Sequence, residues 1–255
     1  MTNRKAVQSQ FGPAAKDYAT SDVHARGESL NSLLQLVKPQ TDWKVLDVAT
    51  GAGHTAFTFA PFVSSVIAGD LTDEMLQMTA ELAAERNLAN VSTQLADAND
   101  LPFATSTFDL VTCRLAFHHF PTPKNVMAEF ARVLKPGGTL GFTDNVTVDD
   151  SDAAEFYNEF ERLRDPSHYR VYSTMKLDEL VCQAGFEIQE SRIFEKEFEF
   201  HRWADRQRVG ESKKRSLLKL IDEIPDALRP LLRPRKTKST IYFSLWERII
   251  VARFA

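Results

Sequence analysis

The chain has 255 residues, 43% hydrophobic and 26% charged, with a formal net charge of −4; these are the proportions of an ordinary globular domain and exclude disordered or collagen-like classes. The length suits one α/β core carrying an inserted segment, and the overall acidity argues against a nucleic-acid partner. Two cysteines, Cys113 and Cys182, are too few for a disulfide framework and lack CxxC spacing, as expected of a protein kept in a reducing cytoplasm.

The opening MTNRKAVQSQ has no apolar stretch behind its basic residues. No run elsewhere reaches the roughly 18 apolar residues of a spanning helix, so no membrane-spanning segment is expected. Residues 1–40 read as a polar arm and a helix near Val23–Val37, ended by Pro39 and placed to cover a site. From Trp43 to Val146 strand-like and helix-like periods alternate, the signature of βαβ units in a mostly parallel sheet. Strands are expected at Trp43–Val48, Ser65–Ala68, Val91–Leu95, Phe108–Cys113 and Thr139–Asp144. Crossover helices are expected at Gly53–Phe62, Thr72–Arg86 and Lys124–Leu134, the last closing on a turn at Lys135, Pro136, Gly137 and Gly138. In the second of these, Met75, Leu76, Met78, Leu82 and Ala83 recur near helical spacing behind Asp73 and Glu74 in the first turn.

Asp149–Arg164 and Met175–Ala184 read as helices, with DPSHYRVY (Asp165–Tyr172) as a loop between them. Phe186–Phe200 alternates and Thr240–Phe254 is rich in β-forming residues, so the two are expected to form a terminal antiparallel pair. The whole is then an α/β, doubly wound, Rossmann-like fold with a seven-stranded sheet and helices on both faces. Its core takes residues 41–200 and 239–255, leaving 201–238 as an insertion. From Arg202 to Lys238 there are 12 Lys/Arg against 5 Asp/Glu, and Leu217, Leu220, Ile221, Ile224, Leu228 and Leu231 trace an apolar helical stripe. Packed inward, that stripe makes the insertion a lid whose cations can meet an anionic substrate; exposed, it makes an amphipathic helix suited to peripheral membrane contact.

The central signal is VLDVATGAGHTA (Val45–Ala56), an apolar strand followed by Gly51, Gly53 and Ala56 in a G-x-G-x-x-A turn. Glycines let the backbone turn tightly and approach a ligand. A nucleotide-fold dehydrogenase would use the same glycines, so the turn alone leaves that reading open. Asp47 adds an anion on the first strand. Asp70 ends the second strand, 19 positions after Gly51, where a carboxylate can accept ribose hydroxyls. Asp97, in QLADANDLPF, ends the third, and with the Ala98 N–H could read an adenine edge.

Taken in order, VLDVATGAGHTA, GDLTDEML, ADANDLPF, FDLVTCRLAFHHF and ARVLKPGG resemble the class I S-adenosylmethionine-dependent methyltransferases over about residues 30–146. The likeness is greatest to the small-molecule branch that includes the ubiquinone/menaquinone biosynthesis methyltransferases. The resemblance implies S-adenosylmethionine as cofactor and a small-molecule methyl acceptor, whether aromatic, quinone-like or another metabolite. It implies Asp47 and Gly51, with Ala49 and Thr50 beside them, at the methionine amino end, and Gly53 in the turn. Asp70 would hold the ribose, Leu71 and Met75 would flank adenine, Asp97 and Ala98 would read its edge, and Arg114 would meet the methionine carboxylate. Ala49 departs from the family in standing where many members have glycine. FGPAAKDY resembles the N-terminal arm whose aromatic residue closes over the cofactor, which points to Tyr18.

His118 and His119 follow the fourth strand where the family's substrate meets the methyl group, and either imidazole can take a proton from a phenol, enol or amine. Phe117, Phe120, Tyr157, Phe160, Tyr169 and Tyr172 are expected to wall an apolar pocket. Adjacent histidines do not easily share one ion, and no i, i+4 His/Glu pair accompanies them, so no metal is expected. A non-catalytic S-adenosylmethionine-binding module, or pseudo-methyltransferase, is the alternative. No motif specifies the acceptor atom or the oligomeric state.

Overall fold

In the computed structural model, residues 3–13 and 27–255 are described. Among the described residues, two helices precede the sheet, α1 (Asn3–Phe11) and α2 (Glu28–Val37). The strands are β1 (Lys44–Val48), β2 (Ser65–Asp70), β3 (Val91–Leu95), β4 (Phe108–Arg114), β5 (Leu134–Thr147), the two-residue β6 (Tyr172–Ser173), β7 (Phe186–Glu199), the two-residue β8 (Arg235–Lys236) and β9 (Ile241–Phe254). Their order is β3-β2-β1-β4-β5-β9-β7, with β6 beside β5 and β8 beside β9. Strands β1 to β5 pair in parallel, Val45 facing Val66 on one side and Leu110 on the other. Antiparallel β9 joins β5 to β7, with Phe142 opposite Ile250 and Phe186 opposite Phe254. The expected seven-stranded path and its terminal antiparallel pair are thus present, with two short strands added.

The run VLDV is apolar without alternation because β1 is covered on both faces. Val45 joins a cluster with Leu33 and Val37 of α2, while its neighbour Leu46 joins the opposite cluster. The first face also holds α3 (His54–Phe59); the other packs α5 (Pro123–Val133) and α7 (Thr174–Gln183) through Val126, Phe130, Leu177 and Leu180. Gly141 lets α2 lie close on β5, since a Cβ there would stand 3.2 Å from Val37.

Three expectations change in detail. The Lys135–Gly138 turn lies inside β5 as a bulge: β4 pairs Phe108 with Leu134 and then Leu110 with Thr139, and Gly137 adopts φ +74. The crossover helix after β1 ends at Phe59 and continues as a 3₁₀ turn, Ala60–Phe62. In the insertion the apolar stripe is not one helix. It divides into α9 (Glu211–Asp222), a 3₁₀ turn at Asp226–Leu228 and α10 (Arg229–Leu232), because Pro225 disfavours helical geometry at Ile224.

That stripe packs inward. Leu217, Ile221, Ile224 and Leu228 are buried against Tyr157 and Phe160 of α6 (Ser151–Arg164), Trp203 of α8 (Phe200–Asp205) and Phe243 of β9. Several of the insertion's cations are engaged with nearby acids. Arg233 and Arg235 pair with Glu195 and Glu197 on β7, Lys214 with Asp205 and Glu211, and Lys236 with Asp222. Most of these pairs are exposed and add little stability each.

The rings of Phe160 and Trp203 stack at 5.1 Å, with Phe243 edge-on to both. Phe160→Ala is therefore expected to cost about 3–5 kcal/mol of unfolding free energy, read by denaturant titration. A cost near zero would mean that this second core is not part of the cooperative fold.

Candidate active site

The chain runs outward from β1 through β2 to β3, then returns to the other side of β1 as β4. Where strand order reverses, the connections part and leave a crevice at the carboxyl ends of the strands. A cavity of about 790 Å³ opens there, large for a single small ligand.

The turn after β1 is held by its neighbours. Asp70 accepts the Gly51 N–H at Oδ2 (2.9 Å) and the Thr72 N–H at Oδ1 (3.0 Å), while Thr50 N–H donates to Gly69 O and Thr79 Oγ1 donates to Gly51 O. Gly51 and Gly53 have φ of +56 and +83; a Cβ on Gly53 would lie 2.5 Å from the Phe57 ring, whereas one on Gly51 would meet nothing within 4 Å. Ala49 also has positive φ, +54, a strained conformation for a residue with a Cβ. This explains why glycine suits that position. Burial pushes Asp70's carboxyl above its ordinary value, against the N–H groups that favour its charge.

Asp47 stands behind the wall. It is 1% exposed, its oxygens accept hydroxyl hydrogens from Thr50 and Thr112 (both 2.6 Å), and burial raises its carboxyl to about 6. It holds the turn's underside and, like Gly53, does not line the cavity. The other expected positions come together on its wall: Ala49, Thr50 and Gly51 from the first turn, Asp70 and Leu71 with Met75, then Asp97 with Ala98, and Arg114 with His118 and His119. Tyr18 lies outside the described residues. Of the expected aromatic wall, only Phe120 reaches the cavity. Phe117, Tyr157 and Phe160 are core, Tyr172 packs beside Phe117, and Tyr169 is exposed.

Helix α1 lies across the cavity's mouth. Arg4 pairs with Asp97 at 3.1 Å, Gln8 donates to Leu71 O, and Gln10 bonds Gln207 of the insertion. The Phe11 ring sits edge-on to His119 at 5.1 Å. Its polar composition hid this helix from periodicity.

Opposite lies a cluster that strand-end reasoning missed. The loop after α6 brings Asp165 and His168 to the cavity beside Glu161 and Arg164, and Trp203 and Phe198 complete this end. The visible signal was DPSH, a run of polar and titratable residues directly after an amphipathic helix. The Tyr169 and Arg170 N–H groups donate to His118 O, tying this loop to the histidine turn.

The two adjacent histidines are driven apart electrically. For His118, burial opposes the charged ring, but Asp144, 2.6 Å from Nδ1 and also accepting the His118 N–H, overrides it with Asp165 and Glu161; the pKa is raised. For His119, burial and the neighbouring His118 charge depress the pKa to about 4. The site therefore favours charge on His118 and a neutral ring on His119, their centroids 4.2 Å apart.

A sequence profile for methyltransferase domains matches residues 46–142. An uncharacterised methyltransferase of Bacillus subtilis, YcgJ, is 31% identical over 229 residues, 90% of this chain and 89% of that one. A solved structure of a Bacillus halodurans protein assigned to the methyltransferases is 36% identical, with a TM-score of 0.85, and covers 89% of this chain and 99% of its own. A demethylmenaquinone methyltransferase of Renibacterium salmoninarum is 32% identical over 138 residues, 52% of this chain and 56% of that one.

The histidine pair has a pH signature. The folded state holds the His118 proton more tightly than the unfolded chain does. Its ion pair with Asp144 therefore stabilises the fold fully below an ordinary pKa of about 6.5 and loses that contribution as pH rises through the raised value. In Asp144→Asn, His118's pKa is expected to fall, because its ion-pair and hydrogen-bond partner is lost. NMR titration of the His118 imidazole checks this, and an unmoved value would remove Asp144 as the cause.

Proposed function

The chain belongs to the class I S-adenosylmethionine-dependent methyltransferases, and on that premise we propose that this enzyme methylates a small molecule in the cavity, with His119 as the base that takes the acceptor's proton. The carrying observation is that the cofactor-side carboxylates and the histidine pair line one cavity. An aromatic or quinone-like acceptor suits the Phe11, Phe120 and Trp203 walls, and the partial match to a demethylmenaquinone methyltransferase points the same way.

The cavity fits the cofactor. The open side of Gly51 admits a ligand against the backbone. Asp70, fixed by the Gly51 and Thr72 N–H groups, lines the cavity, where a carboxylate can accept a ribose hydroxyl. Asp97 and Ala98 would meet the adenine edge, Leu71 and Met75 its faces, and Arg114 the methionine carboxylate. Bound there, S-adenosylmethionine supplies an electrophilic methyl group on a sulfonium.

The chain's own part is positioning and proton handling. His119, neutral at pH 7, accepts the proton, while the electron pair of the broken bond stays on the acceptor atom. His118 is held by Asp144, which favours its protonated form. Holding the partners together accounts for much of the rate without heavier machinery. Helix α1 and the insertion act as lids, since both contribute side chains to the cavity. No helix among the described residues is long and apolar enough to cross a membrane; with the apolar stripe turned inward, we place the enzyme in the cytoplasm.

Calorimetry is expected to show binding of S-adenosylmethionine and none of NAD or NADP. Asp70→Ala is expected to weaken that binding about tenfold, near 1.4 kcal/mol; equal affinities would take Asp70 away from the ribose. His119→Ala should lower turnover by about 10²–10⁴-fold on whichever of a panel of phenols, quinone precursors and amines the enzyme methylates, with S-adenosylhomocysteine affinity retained. Equal losses in both would assign His119 to cofactor binding instead.

A further inference from the structure

We propose that Asp165 and Ser167 are a positioning pair that locks His119 in the tautomer with its proton on Nδ1, making Nε2 the ring's basic nitrogen. The inference rests on the reading of His119 as the base and supplies what that reading lacks, the reason the lone pair falls on one particular ring nitrogen.

Asp165 follows the last turn of α6, its N–H donating to Glu161 O at 2.8 Å, and both Asp165 and Ser167 are buried. One carboxylate oxygen, Oδ1, accepts the Ser167 N–H (2.8 Å) and the Ser167 hydroxyl (2.6 Å). A serine hydroxyl has a single hydrogen, and here it is committed to Asp165. Toward His119, Ser167 therefore presents only lone pairs: its carbonyl oxygen 3.1 Å from Nδ1 and its Oγ 3.2 Å from the same atom. Two acceptors facing one ring nitrogen require that nitrogen to carry the hydrogen. In a neutral imidazole the other nitrogen then holds the lone pair.

The carboxylate acts on the ring through the serine. If the Ser167 hydroxyl were released from Asp165, it could turn its hydrogen to Nδ1 and favour the opposite tautomer. Asp165's charge also favours the imidazolium that forms once His119 takes a proton, opposing the depression by burial and His118. The same loop ties into the neighbouring turn through the bonds to His118 O, which keeps the serine in register with the ring.

The test is ring-nitrogen NMR on the full chain with ¹⁵N-labelled histidine at neutral pH, His119 being assigned by the signals lost in His119→Gln. The wild type should show a pyrrole-like Nδ1 and a pyridine-like Nε2. In Asp165→Asn the carboxamide can donate to Ser167 Oγ and free its hydrogen, so the two shifts should exchange, wholly or in part, with S-adenosylhomocysteine affinity unchanged. Ser167→Ala keeps the carbonyl acceptor and should retain the wild-type pattern. A wild-type Nε2–H tautomer, or an Asp165→Asn spectrum identical to wild type, overturns the proposal; the wild-type spectrum does so even if the variant fails to fold. Failure of the base reading shows elsewhere, as undiminished turnover in His119→Ala, and leaves the tautomer measurement intact.

Discussion

The carboxylate of Asp70 clamps the end of β2 to the turn after β1 by accepting the N–H groups of Gly51 and Thr72. That clamp lies beside the point where strand order reverses, and the crevice is the space it holds open. A buried carboxylate is costly unless paired, and burial raises its pKa accordingly. The strained Ala49 and the left-handed glycines are the backbone's side of the same arrangement.

Charge in the cavity is sorted by partner and not by residue type. Asp47 and Asp70 sit near one another on adjacent strands, yet the first is consumed by threonine hydroxyls behind the wall while the second reaches the cavity. His118 and His119 are neighbours in the chain, yet Asp144 favours charge on the first while burial and the first ring's charge favour the neutral form of the second. A ring held neutral thus stands beside one whose charge is favoured. In the basic insertion, Arg233 and Arg235 meet Glu195 and Glu197 of β7 while the apolar stripe turns inward to build a second core.

Much of the fold was legible from local pattern. Strand β3 was bounded as expected, β1, β2 and β4 to within one or two residues, and β7 and β9 almost to their ends, because hydrophobic period and β-forming composition act over a few residues. The glycine bulge in β5 was read as a turn, since Gly137 and Gly138 signal tight backbone but not whether pairing resumes beyond them. Pro225 did carry the break in the insertion, but the apolar stripe spoke louder than the proline.

By itself the sequence determined the sheet order's ingredients, the family and its cofactor, because glycine turns and strand-end carboxylates are local features with regular spacing. Only the tertiary structure decided which groups meet. It put Asp47 behind the wall, brought Arg4 and Phe11 over the cavity from far along the chain, and set Asp165, Ser167 and His168 against the histidine turn. Those contacts join residues tens of positions apart, and no periodicity records them. The charge states of His118 and His119 follow from burial and from an aspartate on the next strand, quantities that exist only once the chain has folded.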